Sequence, residues 1–304
     1  MTQVKALHKS TLPTWLGLVA GSWAGLAWGS LISAPVGIGF GVAAGSAFGG
    51  FLAVPLWGTV WGLVGLSRQR ENALKEHGIT LLKESDPLAQ RVHTLAARLG
   101  LRTRPWVGVM PHNNAYAIGS SADSALVVIG QPLLNNLTEA EVDAIIGHEL
   151  GHVANNDMRR MGLTRSFQNS LVWYLGFSDT LQRWGRWLLT WVSELFVLRL
   201  SRNREYWADA VGAALTSKDD MIAALDKLNN GPELSDFERN HARLMFRGIA
   251  AGSLLSTHPT LEQRRDALRS GRYLRRVANP VQATSELTAP VGLPTAEEIA
   301  YAKR

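Results

Sequence analysis

Thr138-Glu139-Ala140-Glu141-Val142-Asp143-Ala144-Ile145-Ile146-Gly147-His148-Glu149-Leu150-Gly151-His152 reads as one capped helix, and the rest of the chain is best approached from it. Thr138 and Glu141 stand at capping-box spacing, and Glu139 adds a second acid to the first turn, where the helix dipole favours it. Val142, Ile145 and Ile146 recur at helical spacing on one face. Asn155, Asn156 and Asp157 mark the expected end. On such a helix a four-residue step returns to the same face, so His148 and His152 present two imidazoles to one point with Glu149 beside them. That is the HExxH arrangement, in which the histidines bind zinc and the glutamate serves as general base.

Zinc needs a third protein ligand and an open position. A metzincin would carry glycine and histidine where this chain has Asn155 and Met158, so that class is excluded. No glutamate lies between Glu149 and Glu194, which removes a closely following ligand. The best candidates stand further on, in Ser201-Arg202-Asn203-Arg204-Glu205-Tyr206-Trp207-Ala208-Asp209. Glu205 and Asp209 share one face of a predicted helix. One can bind the metal while the other orients a ligand histidine from behind; alternatively both are solvated acids paired with Arg202 and Arg204.

These motifs, in this order, resemble the membrane-bound zinc metallopeptidases of the HtpX type, relatives of the CAAX prenyl proteases and the Oma-type proteases. Asn114-Ala115-Tyr116-Ala117-Ile118-Gly119 resembles the strand that precedes the active-site helix in that family. His148, Glu149 and His152 match its zinc motif, and Asp157 an aspartate that commonly follows. Glu205 and Asp209 match its E-x-x-x-D element; His258-Pro259 with Arg264 resembles its late H-P-x-x-x-x-R element. The likeness runs from about residue 70 to about 275. It departs between the two zinc motifs, where such proteins usually carry two further membrane spans and this chain has room for a shorter apolar stretch. The resemblance implies a gluzincin-like fold, one Zn2+ held by His148, His152 and Glu205, and Asp209 as the supporting carboxylate. It implies polypeptide substrates, with quality control of misfolded or membrane proteins. His258 is then a donor to the oxyanion, a removable fourth ligand, or a structural residue ahead of Pro259; Tyr206 is a second candidate donor. Asn114, Ala115, Tyr116 and Ala117 form the strand against which an extended substrate could pair, a mode that reads main chain rather than side chains.

From Ser10 to Ser67 there is no Asp, Glu, Lys, Arg or His. One membrane helix takes about 20 apolar residues, so the stretch holds two, near 12–33 and 38–66, turning at Ala34-Pro35-Val36-Gly37. Trp15, Trp57 and Trp61 fall near the expected ends, and glycines recur at four-residue spacing, which suits close helix packing. The run is too long for a cleaved signal peptide. Lys5 and Lys9 before it, with Arg68, Arg70, Lys75 and Lys83 after it, predict that both flanks are cytosolic; the resemblance implies that the membrane is a bacterial inner membrane. The formal net charge of +6 suits a domain beside anionic lipid, and no motif resembles a nucleic-acid binder. The absence of cysteine decides nothing about compartment.

The expected architecture is mainly α with a small β-sheet: an anchor over 1–67, a metallopeptidase domain over 68–278 and a mobile tail over 279–304. Asp86-Pro87 opens a helix carrying Val92, Leu95, Ala96 and Leu99, and 105–110, 115–119 and 124–129 read as strands. Within 168–200, Trp184, Trp187, Leu188, Trp191, Leu195 and Leu198 form one stripe opposite Arg183, Arg186, Thr190 and Glu194. That pattern predicts an amphipathic helix in the membrane interface, with a third span or a packing seam onto the protein itself or a homo-oligomer partner as the other readings. Three functional classes compete: a peptidase, a zinc-bearing membrane-tethered adaptor without catalysis, and an intramembrane protease; within the resembled family a prenyl-protein protease is the runner-up, though such enzymes have more membrane spans than this chain can supply. The intact Glu149 argues against the adaptor; Glu139, Glu141, Asp143, Asp157, Arg159 and Arg160 around the motif argue against a site within the bilayer.

Overall fold

The computed structural model describes residues 68–160, 203–229 and 259–274, together with 16, 60, 63–65, 162, 277 and 288. The predicted hairpin, the 168–200 segment, His258 and most of the tail lie outside the described residues. By internal contacts the chain divides into two units, one of 1–9, 69–158 and 198–304, the other of 10–68 and 159–197. The elements below lie almost wholly in the first. Among the described residues no helix is long and apolar enough to cross a membrane.

Residues 68–76 are helical (α1) and lead to a short strand, β1 (Thr80–Leu81). Asp86 then caps α2 (Pro87–Leu99), its side chain accepting from the Leu88 amide at 2.8 Å, with Pro87 in the first turn where no N–H is missed. Gly100, at φ 80°, ends the helix in the left-handed conformation that glycine adopts at least cost. Strands β2 (Trp106–Met110), β3 (Ala115–Ile118) and β4 (Leu126–Gly130) follow, and the sheet runs in the order β1-β2-β4-β3. β2 and β4 are parallel and the outer pairings antiparallel, so the sheet is mixed, with β3 at one edge. A short helix α3 (Gln131–Asn136) leads to α4 (Glu139–Ala154), the HExxH helix. Residues 203–215 form α5, followed by α6 (Lys218–Asn229) and α7 (Leu261–Arg269).

β4 is buried along its whole length because both sheet faces are covered. Val107, Ala115, Val127 and Ile129 face the main core with α2 and α4, where Val92, Leu95, Ile145 and Ile146 meet them. On the opposite face Met110, Tyr116, Ile118, Leu126 and Val128 pack against Ala73 and Leu74 of α1 and against Ile79. The capping box of α4 is formed as read, and the Glu141 carboxylate also accepts from Lys227 Nζ at 2.7 Å, which ties α6 to the start of α4. Arg91 of α2 binds Asp143 of α4 at 2.7 Å on the other side.

One expectation is refined. α4 is buried on nearly every side, including His148 and Glu149, rather than offering one apolar face. Its small residues explain this, since Ala144, Gly147 and Gly151 let a neighbouring helix come close where a larger side chain would hold it off. In the tail, Thr288 is held: its N–H donates to the Arg102 carbonyl and its own carbonyl accepts from the Arg104 amide, both at 2.9 Å.

Candidate metal centre

Helix α5 crosses α4 at glycine. A Cβ on Gly147 would lie 2.9 Å from Gly212 Cα, and one on Gly151 would lie 3.2 Å from Ala208 Cα. This close approach carries Glu205 and Asp209, one turn apart on α5, to the face of α4 that bears both histidines. The structure thus brings His148, His152, Glu205 and Asp209 together.

Three candidate ligand groups converge. His148 Nε2 and His152 Nε2 are 3.1 Å apart, and the two oxygens of Glu205 stand 3.8 Å from the first and 3.7 Å from the second. Ligands held 2.0–2.1 Å from a tetrahedral ion stand about 3.3 Å apart, so this donor set fits a metal with small adjustment. Among the described residues these three form a cluster able to hold one. Behind each histidine lies a carboxylate. His148 Nδ1 donates to Asp209 Oδ1 at 2.9 Å, and His152 Nδ1 donates to Asp157 Oδ2 at 3.0 Å. Since an ionised carboxylate only accepts, both rings are held with Nδ1 protonated and Nε2 turned inward. Asp157 reaches His152 because Asn156 takes a left-handed turn (φ 57°) just past the helix end, a conformation asparagine tolerates. Asp209 is gripped in turn by Arg264 of α7, through Nε at 2.8 Å and Nη2 at 2.6 Å.

The electrostatics follow from burial and from these pairs. Burial holds His148 down, to about 4, against the pull of Asp209. Burial would lower His152 too, but Asp157 and Glu205 outweigh it and push the ring up to about 9. Glu149, 3% exposed, is pushed up by burial to about 7, with Glu205 adding to the rise. A carboxyl poised there can hold or yield a proton near neutral pH.

Of the predicted substrate strand, Asn114, Ala115 and Tyr116 are buried. The Tyr116 hydroxyl bonds His77 Nδ1 on the far face of the sheet, away from α4. The backbone of β3 is what meets the site: the Ala117 N–H donates to the Glu149 carboxylate, one of the interactions that temper its rise. Tyr206, a second candidate donor, stacks on Tyr273 with ring centroids 5.3 Å apart. The roles of Asp157 and Arg264 were not legible in the spacing; the only signal was their place in the resemblance.

A mixed sheet behind a buried helix, two helix-borne histidines with a carboxylate between them, and a glutamate from the next helix together define a metallopeptidase. Residues 83–272 match peptidase family M48, and the chain belongs to that family. Protease HtpX of Acinetobacter baumannii (strain AYE) is 32% identical over 250 residues, covering 70% of this chain and 83% of that protein. Protease HtpX of Actinobacillus pleuropneumoniae serotype 5b is 29% identical over 255 residues, covering 74% and 88%. A crystal structure of S. mikatae Ste24p is similar over 72% of this chain and 57% of its own, at 22% identity and a TM-score of 0.48, so this chain spans little more than half of it.

Proposed function

We propose that the protein is a membrane-anchored zinc endopeptidase in which His148, His152 and Glu205 hold the metal and Glu149 moves the proton. The observation that carries this is the convergence of three ligand atoms within 4.8 Å of one another, each histidine backed by its own carboxylate. A bound zinc ion supplies Lewis acidity toward a water and toward the scissile carbonyl. Glu149 takes the proton from the attacking water and returns it to the departing amine nitrogen. Asp209 and Asp157 fix the imidazole tautomers throughout. An extended substrate lies along the β3 edge, where main-chain bonds position it beside Glu149. His258 is a candidate donor to the developing oxyanion.

The uncharged stretch from Ser10 to Ser67, flanked by Lys5, Lys9, Arg68, Arg70, Lys75 and Lys83, supports an anchor over 1–67 and a peptidase domain over 68–278 on the cytosolic side. Leu16, Val60 and Leu63 support the anchor. They are the exposed large hydrophobics among the described residues, between 46% and 52% accessible, and all three fall in the uncharged stretch. Substrates are polypeptides presented at that surface, misfolded or membrane-embedded chains among them, since a site that reads main chain tolerates many sequences. Zinc analysis of the purified protein beside Glu205→Gln tests the ligand set. The wild type should hold about one zinc per chain and the variant far less; equal metal content would remove Glu205 from the site.

A further inference from the structure

We infer that Arg264 is a positioning residue for the metal centre, acting through Asp209 on His148. The inference rests on the reading of His148 as a metal ligand. Arg264 lies on α7, fifty-five positions from Asp209, and both side chains are buried, at 8% and 1% accessible. Its Nε and Nη2 engage the two carboxylate oxygens of Asp209 separately, the planar fork that only arginine offers. Oδ1 of that carboxylate also accepts from His148 Nδ1, so one oxygen is shared between the arginine and the ligand histidine. The fork thus fixes the plane of the carboxylate, and the carboxylate fixes the plane of the imidazole.

Stability alone gives little reason for such a pair. Two ions taken out of water recover little net free energy from each other, and apolar residues of the same size often serve the core as well. What an apolar pair cannot do is keep the Asp209 carboxylate aimed. A carboxylate rotated out of the plane that the Arg264 fork sets would no longer hold His148 with Nε2 facing inward. Thr260 and Gln263 form a capping box that starts α7 four residues before the arginine.

The test measures zinc affinity of the full-length chain by competition with a chromophoric chelator, together with the visible absorption of the cobalt-substituted protein. The proteins compared are wild type, Arg264→Met, Arg264→Lys, Asp209→Asn and the double variant Asp209→Asn/Arg264→Met. Loss of a partner behind a metal ligand typically weakens binding 10- to 100-fold, and that is the loss expected for Arg264→Met, with an altered cobalt spectrum. Arg264→Lys, which keeps the charge but not the fork, should fall between. The double variant should lose no more than Asp209→Asn alone, because the arginine acts through that carboxylate. Affinity within twofold of wild type in Arg264→Met, or losses that add in full, would overturn the inference. Should Arg264→Met not fold, an unchanged cobalt spectrum and affinity in Arg264→Lys would do the same. A wild-type protein that binds no zinc would sink the proposed function as well, whereas zinc-binding wild type with indifferent Arg264 variants sinks this inference alone.

Discussion

Gly147 and Gly212 face each other across the α4–α5 crossing so closely that a methyl group on Gly147 would sit 2.9 Å from Gly212 Cα. The separation of those helices sets the separation of His148 and His152 from Glu205, the proposed metal ligands. A Cβ on Gly212 would meet the Ala144 carbonyl oxygen at 2.6 Å and Met221 Sδ at 2.9 Å. Alanine gains roughly 1 kcal/mol over glycine inside a helix, but overpacking of this kind costs about 1–3 kcal/mol. Gly212→Ala should therefore lower the melting temperature and reduce zinc content together. A variant that melts higher and holds zinc normally would show that the crossing has slack.

Glu149→Gln keeps the shape of the side chain and removes its capacity to accept a proton. Peptide cleavage should fall by about 10²- to 10⁴-fold while zinc content stays at the wild-type level. Undiminished cleavage of an unfolded protein substrate would end the general-base assignment.

Asp157→Asn leaves His152 facing an amide in place of a carboxylate. Zinc affinity should drop by about 10- to 100-fold, with secondary structure unchanged by circular dichroism. Equal affinity would mean that the Asn156 turn alone positions the ring.

Zinc uptake should release protons. In the metal-free site His152 is raised from 6.5 to about 9, so it contributes stability that is complete below 6.5 and lost as pH climbs through 9. At pH 8, above the Glu149 value of about 7 and below that of His152, zinc must displace the proton on Nε2. Titration calorimetry in two buffers of different ionisation enthalpy should give about one proton released per zinc. A buffer-independent heat would contradict a protonated His152.

Tyr116→Phe removes the hydroxyl bonded to His77 in a buried setting. A lost buried partner costs about 1–3 kcal/mol, so the melting temperature should fall while cleavage by the folded protein is kept. A large loss of turnover without destabilisation would place the tyrosine side chain at the substrate after all.

How much of this was legible depended on range. His148, Glu149 and His152 were readable because helical geometry fixes residues four apart, and Thr138 and Glu141 because a capping box spans three. Glu205 and Asp209 could be paired with each other for the same reason. That α5 meets α4 followed only from resemblance, since nothing in the spacing declares that Gly147, Gly151 and Gly212 are contact points rather than weak helix formers. Asp157 was opaque for a different reason: it lies past the helix end, and its route back to His152 depends on one backbone angle at Asn156. The core position of Tyr116 was hidden because alternation along a strand defines two faces without saying which one a substrate meets. The sheet covered on both faces could not be foreseen without α1, whose packing against Tyr116 and Leu126 leaves no periodic mark.

Enclosure of α4 on almost every side has a kinetic consequence. Helices so enclosed open only with the whole domain, so their amides are among the slowest to exchange with deuterium. Both histidines ride on that helix. A metal held there as proposed is therefore lost without any opening of α4, and its loss to a chelator should outpace deuterium exchange at the His148 and His152 amides.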